Sequence, residues 1–533
     1  MRKEFLILAF VLLAAITIAG LFLPVVLLSL LLIGPVLILG FYDFFQTGHA
    51  IRRNFPILGR WRYWLELIRP EINQYFIESN LDGAPFSREQ RSIVYQRAKN
   101  QLDSIPFGMQ HNMNETGYEW INHSLAPKHI EEGHLRVTVG GPDCKQPYNA
   151  SLLNISAMSY GALSKNAVLA LNGGAKDGNF AHNTGEGGIS PYHLEPGGDL
   201  IWQVGTGYFG CRKESGGFCE KNFQNKSTHP QVKMIEIKLS QGAKPGHGGF
   251  LPAEKVSQEI SEIRGVPIGK DVVSPPAHTA FSTPVEMMHF VARLRELSNG
   301  KPVGFKLCIG DPQEFFSICK AMQKTGITPD FISVDGGEGG TGAAPMEFTN
   351  FMGSPGIYSL MLVQNALTGF SMRDRIRIFS SGRVIHGFDI IKLVALGADV
   401  IYSARAMMMA LGCIQALRCN TNHCPTGITT QNPFLVAGLV VKDKRKRVAT
   451  FHKKTIEITA HLIGAMGLNG PEELRPEHIL RRASLTQVQN YAELYDFLES
   501  GALLKEPLPA QYARAIQKAS AESFRPVTTD EHR

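Results

Sequence analysis

Three cysteines within a short stretch form the densest group of reactive side chains in the sequence. Cys413, Cys419 and Cys424 have the spacing C-x5-C-x4-C, and a proline directly follows the last of them. Thiolates this close together indicate a site for something soft. An iron–sulfur cluster is the sharper interpretation, because a proline after a terminal cysteine also occurs in ferredoxin-type runs and three local ligands would suit a three-iron cluster. A zinc site completed by His423 and three unligated thiols remain as alternatives.

The other cysteines are scattered along the chain. Eight cysteines in 533 residues exclude a small disulfide-rich scaffold. Cys144, Cys308 and Cys319 are interpreted as ordinary small apolar residues. Cys211 and Cys219 have no evident chemistry, and we interpret them as structural.

Two arginines that follow predicted strand ends could bind a phosphate group. A glycine lets the backbone approach a phosphate, and an arginine supplies a planar, charged fork of donors. Phosphate sites in (β/α)8 barrels frequently use the loops after the seventh and eighth strands. A structural turn with a surface arginine is the alternative. The two segments are Ser380-Ser381-Gly382-Arg383 and Ser403-Ala404-Arg405.

These groups need a scaffold that brings strand ends together, and from about residue 150 the sequence alternates short apolar runs with helical patterns. Such alternation requires a parallel sheet covered by helices. The predicted strands are Leu152–Ser156, Asn179–His182, Met234–Leu239, Val303–Leu307, Phe331–Val334, Arg377–Ser380 and Val400–Ser403. The predicted helices are Ser164–Ala175, Pro284–Leu297, Pro312–Lys324, Ile357–Thr368 and Phe388–Leu396.

The alternation favours a (β/α)8 TIM barrel of the α/β class, although seven strands are visible rather than eight. No GxGxxG turn opens the first βα unit, which argues against a Rossmann fold. The active site of a barrel lies at the C-terminal ends of its strands. Ser159, Asn183, Lys238, Lys306 and Asp335 each lie within or just after a predicted strand. We therefore expect these five residues at the site.

The overall composition is that of a folded, multi-part protein. Hydrophobic residues make up 44% of the chain and charged residues 19%, which excludes general disorder. The length of 533 residues predicts two to four structural units. The net charge of +7 is modest for this size, and no basic stripe interleaved with aromatic residues is present. A nucleic-acid partner is therefore not expected.

The N-terminus predicts a membrane anchor. Phe5–Tyr42 contains no charged residue and is nearly long enough to cross a bilayer twice. Gly20 and Pro24 interrupt its middle, where a turn could separate two helices. Basic residues flank both ends, which favours a hairpin in the inner (cytoplasmic) membrane with the catalytic body in the cytoplasm. The alternative is a signal peptide with a cleavage site at Thr17–Ala19.

The expected organisation has four parts. A transmembrane helical hairpin at 1–44 precedes a helical connector at 45–130, for which Arg88–Leu102 is an example of a helical pattern. The barrel occupies 131–480 and contains the iron–sulfur loop 413–424. A C-terminal helical extension at 481–533 includes a predicted helix at Thr486–Leu498. The basic run Lys442–Arg447 is either a solvated surface or a docking face for an acidic electron carrier.

Four motifs resemble the FMN-binding synthase domain of glutamate synthase, and the three clustered cysteines resemble the 3Fe-4S ligands of that family. The resemblance covers roughly residues 130–480. Together with the apolar N-terminus it is similar to the membrane-anchored, glutamate-synthase-like proteins of bacteria. The motifs are Asn183-Thr-Gly-Glu-Gly-Gly188, Gln241-Gly-Ala-Lys-Pro-Gly246, Ser274-Pro-Pro-Ala-His278 and Gly339-Gly-Thr-Gly-Ala343.

The resemblance implies a barrel that binds FMN and receives electrons through the 3Fe-4S cluster. In that family the flavin reduces an imine formed from 2-oxoglutarate and ammonia, which gives L-glutamate. The residues implied to line the isoalloxazine ring are Ala157, Met158, Ser159, Gln203 and Lys306. Those implied to hold the ribityl phosphate are Glu338, Gly339, Gly340, Gly382, Arg383, Ala404 and Arg405. Those implied to surround the substrate are Glu186, Lys238, Gln241, Lys244 and Arg264.

Chemistry supports these implied roles. The protein supplies orientation and electrostatics to a flavin that donates hydride. Lys306 would stabilise the negative charge of the reduced flavin. Lys244 and Arg264 could clamp substrate carboxylates, the arginine bidentately. Glu186 could move a proton or bind the incoming amine.

Departures from the family pattern shape the expected partners. Neither an amidotransferase domain nor a nucleotide-binding segment for FAD or NADPH is visible, so we expect a separate ammonia source and a separate electron donor, such as ferredoxin or a reductase subunit. Phe250 and His247 stand where the family carries polar and acidic residues, which changes the oxo acid or amino acid that fits. The alternatives are an enzyme that makes or cleaves an N-substituted glutamate, and an electron-transfer or scaffold subunit.

Overall fold

The computed structural model describes residues 1–131, 133 and 135–526. The chain folds as two compact units, Met1–Glu89 and Gln90–Arg533. The segment 45–130 is therefore divided between the two units.

The first unit contains two helices that are long and apolar enough to cross a membrane, Arg2–Phe22 and Pro24–Phe45. The second of these begins with a 3-10 turn at Pro24–Ser29 and continues as an α-helix at Leu30–Phe45. Leu27 packs where a Cβ on Gly20 would stand, 2.5 Å from its Cδ2 atom. The predicted break near Gly20 and Pro24 is thus confirmed. The shorter helices that follow are Ala50–Asn54, Gly59–Ile72 and the π-helical turn Asn73–Ile77.

A buried ion pair ties the second apolar helix to the next part of the same unit. Asp43 is fully buried. The guanidinium of Arg60 donates to both of its carboxylate oxygens, at 2.8 and 2.7 Å. The backbone N–H of Ile57 donates to the same carboxylate at 3.2 Å. Pairing of this kind compensates the cost of placing a carboxylate where water cannot reach it.

The second unit is a closed barrel of eight parallel strands arranged in chain order. The barrel prediction is confirmed, and the strand Leu200–Val204 was not predicted from the sequence. The predicted strand Asn179–His182 also begins too early, because the strand there covers only His182–Asn183. The strands are β1 Leu153–Ile155, β2 His182–Asn183, β3 Leu200–Val204, β4 Val232–Lys238, β5 Val303–Leu307, β6 Phe331–Asp335, β7 Arg377–Ser381 and β8 Val400–Ser403.

The five helices predicted around the barrel agree with the observed ones to within about two residues. Three of them begin at side-chain N-caps from Ser164, Thr283 and Asp311. The longer helices of this layer are Lys165–Asp177, Glu220–Ser227, Pro284–Leu297, Pro312–Thr325, Gly356–Gly369, Gly387–Ala395 and Val441–Ala465. The shorter ones are Pro191–Leu194, Gln258–Arg264, Met346–Phe351, Arg405–Leu411 and Pro433–Ala437.

A two-stranded hairpin closes the N-terminal end of the barrel. Its strands, Arg136–Val139 and Tyr148–Ser151, pair antiparallel. Val139 and Tyr148 pack into one buried cluster with Phe331, the first residue of β6, and Phe379, inside β7. This end of the barrel is therefore an apolar plug, and the opposite end is left for chemistry.

The segments on either side of the barrel meet in a small antiparallel sheet. Glu119–Ile121 pairs with Ile479–Arg482, which pairs in turn with Val488–Asn490. The predicted helix Thr486–Leu498 is therefore wrong for the most part, since only Tyr491–Leu494 is helical there. The predicted helical pattern Arg88–Leu102 ends early, at Ala98. A last helix covers Ala510–Lys518.

Candidate active site

The five residues predicted to surround the substrate meet at the C-terminal mouth of the barrel, around Glu186. Lys238, the last residue of β4, places its Nζ atom 2.8 Å from the Oε1 atom of Glu186. The same Nζ donates to the Oε1 atom of Gln241 at 2.7 Å. The hydroxyl of Ser274 donates to the other carboxylate oxygen of Glu186 at 3.2 Å. The carboxylate thus has partners on both of its oxygens.

Two glycines make room for Glu186. A Cβ on Gly249 would stand 2.0 Å from its Oε1 atom, and a Cβ on Gly205 would stand 2.9 Å from its Oε2 atom. Real Cβ atoms do not approach so closely, so any side chain at Gly249 would displace the carboxylate. Gly249 and Ser274 flank a short two-stranded pairing in which Phe250 lies opposite Val273.

Two further cations stand behind the Glu186–Lys238 pair. Lys244 and Arg264 are each 4% exposed. The ammonium of Lys244 donates to the carbonyl of Ala343 at 2.8 Å. The guanidinium of Arg264 donates to the carbonyl of Tyr160 at 2.8 Å, and its buried Nε has no hydrogen-bond partner. The site therefore holds a desolvated donor with unused capacity.

Burial and charge set the protonation states of these groups. Burial alone would raise the pKa of Glu186, but the positive charges of Lys238, Arg264 and Lys244 outweigh it and lower that pKa. Burial lowers the pKa of Lys244 to about 8, assisted by the charge of Lys238. Burial also lowers the pKa of Arg264 to about 10. At neutral pH the site holds one carboxylate among three cations.

The interior of the barrel carries a second ion pair below this mouth. Lys306, in β5, lies 3.2 Å from a carboxylate oxygen of Asp335, and both side chains are less than a tenth exposed. Burial alone would lower the pKa of Lys306, but the charges of Asp335 and Glu236 raise it. Asp335 also accepts from the N–H of Gly242 at 3.0 Å and from the hydroxyl of Ser381 at 2.7 Å.

Glu236 is a site residue that sequence analysis missed. It is fully buried in β4 and accepts hydrogen bonds from Asn183 at 2.8 Å, Gln203 at 2.7 Å and Ser333 at 2.6 Å. The signal was available, because Glu236 and Lys238 are two residues apart and so face the same side of a strand that is otherwise mostly apolar. The predicted ring-lining Gln203 is thereby held in place.

The other residues predicted to line the ring follow β1. Ala157, Met158 and Ser159 are half-buried. The hydroxyl of Ser159 accepts a hydrogen bond from Arg264 at 3.3 Å. A Cβ on Gly185 would stand 2.6 Å from the backbone nitrogen of Ser159, so this loop and the loop after β2 touch through their backbones. The ring-lining and substrate residues therefore belong to one continuous surface.

The residues predicted to hold a phosphate lie at the ends of β6, β7 and β8. The guanidinium of Arg405 donates to the carbonyl of Glu338 at 2.7 Å. Burial lowers the pKa of Arg405 to about 10, and the positive charge of Arg383 lowers it further. A Cβ on Gly340 would stand 3.0 Å from the Arg405 side chain, and one on Gly382 would stand 3.8 Å from Glu338. Arg405 thus lies against Gly340, and the charge of exposed Arg383 is close enough to act on it.

The remaining members of this predicted group have structural positions nearby. Gly339 donates its N–H to the carbonyl of Gly336 at 2.8 Å, which forms a tight turn after β6. Ala404 is the residue that precedes the helix Arg405–Leu411. The residues predicted to hold a phosphate therefore follow three consecutive strands and lie at one edge of the barrel.

The three clustered thiols lie in the loop after the helix Arg405–Leu411. Burial raises the pKa of Cys413 to about 11, and the charges of Cys419 and Cys424 raise it further, so the three thiols influence one another. Within the ranges that the structure covers, no three Cys, His, Asp or Glu side chains are arranged as ligands of one metal ion. The three thiols therefore lie near one another, but within the described residues they are not arranged as ligands of one metal ion.

Lys255 is a second residue that sequence analysis missed. Its ammonium donates to the carbonyls of Cys419 and Thr429, each at 2.7 Å, and the side chain is 2% exposed. Burial lowers its pKa to about 8, although the thiols of Cys419 and Cys424 act in the opposite direction. A buried cation beside three thiols would compensate negative charge on them. No spacing in the sequence relates Lys255 to this loop.

Solved structures that match the chain share little sequence with it. A double mutant of flavocytochrome b2 with pyruvate bound aligns over 82% of this chain and 91% of its own with a TM-score of 0.42 at 12% identity. A point mutant of mandelate oxidase with a monooxide FMN adduct aligns over 77% of this chain and 94% of its own with a TM-score of 0.39 at 14% identity.

Several known proteins share much more sequence with the chain. The "Glutamate synthase large subunit-like protein YerD" of Bacillus subtilis (strain 168) is 38% identical over 478 residues, covering 82% of this chain and 90% of that protein. The "Archaeal glutamate synthase (NADPH)" of Methanocaldococcus jannaschii is 36% identical over 360 residues, covering 67% of this chain and 66% of that protein. The family model "Conserved region in glutamate synthase" matches residues 126–469. The chain therefore belongs to the glutamate synthase family of oxidoreductases, which act on CH–NH2 groups.

Proposed function

We propose that the chain is a membrane-anchored oxidoreductase that binds FMN and a 3Fe-4S cluster and reductively aminates a 2-oxo acid. The substrate is 2-oxoglutarate or a related compound, and the electrons come from a separate donor. The observation that carries this proposal is the desolvated group of three cations around Glu186, on the same barrel mouth as the two arginines after β7 and β8. Anion recognition at two neighbouring places suits an oxo acid and a flavin phosphate.

The residues at the strand ends fit FMN. Arg405 is partly desolvated and the charge of exposed Arg383 acts against its own, so a phosphate between them would relieve that repulsion. The glycines at 339, 340 and 382 leave the backbone accessible there. Bound FMN would supply hydride transfer to an electrophilic carbon. Lys306 would hold positive charge beside it, since Asp335 and Glu236 keep the ammonium protonated.

The substrate residues divide between binding and proton handling. Arg264 and Lys244 offer charged donors to a carboxylate, and the unpartnered Nε of Arg264 gives that carboxylate a place to bind. Glu186 is ionised, so it can bind the ammonium form of the amine and accept a proton from it. Lys238 is already paired with Glu186 and Gln241, and its role is to orient that carboxylate.

The thiol loop has the donor chemistry of an iron–sulfur site. Cys413, Cys419 and Cys424 supply three sulfur ligands, and buried Lys255 would balance part of the negative charge of a cluster. The loop follows the helix that begins at Arg405, so it connects directly to the proposed phosphate site. Electrons entering at the loop would therefore have a short covalent and packed path to the barrel mouth.

The membrane assignment is supported by the two apolar helices of the first unit. Each is long and apolar enough to cross a bilayer, and little of either helix is buried inside the protein. Exposed apolar helices of this length need a bilayer around them. We propose that they anchor the chain in the cytoplasmic membrane with the barrel in the cytoplasm, where a carrier such as ferredoxin or a reductase subunit and a separate ammonia source supply the reaction.

The test uses the full-length protein purified anaerobically in detergent. The visible spectrum and the iron content test both cofactors, and reduced ferredoxin is the electron source. Addition of 2-oxoglutarate with ammonium should then reoxidise the flavin and produce L-glutamate, and related oxo acids are screened in parallel. A flavin that is reduced but that no oxo acid reoxidises would favour an electron-transfer or scaffold subunit. A colourless, iron-free protein contradicts the proposal altogether.

A further inference from the structure

A short hairpin in the loop after β3 brings two unassigned cysteines together. Arg212 and Phe218 form an antiparallel bridge. The N–H of Lys213 donates to the carbonyl of Gly217 at 2.7 Å, and the N–H of Cys219 donates to the carbonyl of Cys211 at 2.9 Å. In this register, Cys211 precedes Arg212 and Cys219 follows Phe218, so the two cysteines lie directly opposite one another.

This register has the dimensions of a disulfide. Opposite residues of an antiparallel pair have Cα atoms about 4.5–5.5 Å apart and project their side chains to the same face. Disulfides join Cα atoms about 4.4–6.8 Å apart. We propose that Cys211 and Cys219 are an oxidation site and form a disulfide across the base of this hairpin. The two are free thiols in the structure, so the disulfide would be the product of their oxidation.

The environments of the two thiols determine which of them reacts first with an oxidant. Cys219 is partly exposed, whereas Cys211 is fully buried. Burial also raises the pKa of Cys211 to about 12, so Cys219 is the thiol that reacts first with an oxidant. The half-buried Lys226 is close enough to Cys211 for its charge to lower that pKa in part.

Hydrogen peroxide is sufficient as the oxidant. The Cys219 thiolate attacks one peroxide oxygen, the O–O bond breaks, and hydroxide leaves as water after taking a proton; Cys219 becomes a sulfenic acid. The Cys211 sulfur then attacks the Cys219 sulfur, the S–O bond breaks, and a second water leaves with the thiol proton. Two thiols are oxidised to one disulfide while one peroxide is reduced to two waters.

The hairpin supports a residue of the proposed substrate site. Arg212, within the hairpin, lies over the ring of Phe209 at 5.7 Å, and Arg264 lies over the same ring at 5.2 Å. Both guanidiniums therefore contact the same aromatic ring. A disulfide would fix the backbone next to Arg212 and shift this stack. Oxidation should then weaken carboxylate binding by Arg264, an effect that rests on the proposed function.

Peptide mapping tests the disulfide itself without any activity measurement. The full-length protein is treated with stoichiometric hydrogen peroxide, alkylated and digested with trypsin. Cleavage after Arg212, Lys213 and Lys221 places the two cysteines on separate peptides. We expect one linked pair, lost after treatment with dithiothreitol and absent from Cys219→Ser protein. In Cys319→Ser protein, where the altered thiol is buried elsewhere, the link should persist. Both peptides alkylated separately after oxidation would overturn the proposal.

The kinetic arm compares reduced and oxidised enzyme. Oxidation should raise KM for the oxo acid about fivefold or more, the low end of coupling between sites, with a smaller change in kcat. Cys219→Ser enzyme should show no such response. If the reduced enzyme is active and its KM does not change when mapping shows that the disulfide has formed, the coupling to Arg264 is overturned. An inactive reduced enzyme would instead count against the proposed function, and the mapping result would still decide the oxidation site.

Discussion

Glu186 is an ionised carboxylate held between Lys238 and Ser274 in a site with little access to water. Replacing it with glutamine keeps the shape and removes the charge that, in the proposed reaction, would bind an ammonium or accept a proton. We expect Glu186→Gln to lower kcat about 100-fold or more, the usual range for loss of an acid–base group. Steady-state production of the amino acid measures the effect. Glu254→Gln, on an exposed side chain, is the matched control, and equal activity of the two variants would contradict the assigned role.

Lys244 gives the site a pH dependence of definite sign. Burial lowers its pKa to about 8, so the ammonium is charged below that pH and neutral above it. KM for the oxo acid should therefore rise as the pH increases through about 8. Lys244→Met should raise KM about tenfold at pH 7, the value expected for one charged hydrogen bond, and remove this rise. Lys221→Met, at an exposed position, should retain it; an identical pH profile in both variants would exclude Lys244 as a carboxylate ligand.

At the residue scale, the sequence predicted the side chains that carry recognisable motifs. The five residues predicted to surround the substrate come together because each lies at a strand end, in a loop or, for Arg264, at a helix end at the mouth of the barrel. Glu236 and Lys255 were missed for different physical reasons. Glu236 is hidden inside a strand and acts by holding Asn183 and Gln203, whereas Lys255 reaches the thiol loop only through the tertiary fold.

Among the elements, the N-terminal end of the barrel depends on one buried ion pair. Arg295 donates to Asp330 at 3.0 and 2.9 Å, and the same carboxylate accepts the N–H of Val303 at 2.7 Å. Asp330 immediately precedes β6, so it fixes the start of two neighbouring strands and leaves the chemistry at the other end untouched.

Breaking this pair should destabilise the barrel without altering its site. Asp330→Asn leaves buried Arg295 with only the exposed carboxylate of Asp143, 3.9 Å away, so the loss of the buried partner should cost about 3–5 kcal/mol. The midpoint of urea unfolding, followed by far-UV circular dichroism, should fall clearly. Glu220→Gln removes the partner of Arg293 in an exposed pair and should change the midpoint little. An unchanged midpoint for Asp330→Asn would mean that the pair contributes no net stability.

Element boundaries were predictable where the pattern was long and failed where it was short. Helices such as Pro284–Leu297 were found because their periodicity and caps agree. The strand Leu200–Val204 was missed because it contains Trp202 and Gln203 and follows glycines, so nothing in the run alternates. Val488–Asn490 is a strand because it pairs with Ile479–Arg482, and that partner is chosen by the tertiary fold.

For the whole molecule, the two ends of the barrel differ in how their charged groups are paired. The N-terminal end of the barrel holds an apolar cluster, and the buried carboxylate of Asp330 is paired there with Arg295. At the C-terminal end, Arg264 retains an unpartnered buried Nε, and several cations have lowered pKa values. Lys301, at the N-terminal end, is also a desolvated cation, but its ammonium donates to the carbonyls of Ser227 and His229. The unpartnered Nε of Arg264 instead lies where an anionic ligand would stabilise it.

Anchoring is the property of the whole chain that a fractionation experiment can decide. The full-length protein should remain in the membrane after an alkaline carbonate wash. Leu32 and Ile38 are 80% and 70% exposed on the second apolar helix, so they would face lipid. Arginine at both positions, each costing about 2.5–3.5 kcal/mol in the hydrocarbon, should release a large fraction of the protein. The same changes at Leu65 and Leu67, outside the apolar helices, should release none.

Sidedness and processing distinguish the anchor from a signal peptide. A reporter fused after Arg533 should be active only in its cytoplasmic form, because basic residues flank both ends of the hairpin. The intact mass of the purified protein should include the apolar helices. A mass that matches cleavage after Ala19, or a reporter active on the far side of the membrane, would contradict the hairpin. Either result would also remove the barrel from the compartment in which a reduced electron carrier could reach the thiol loop.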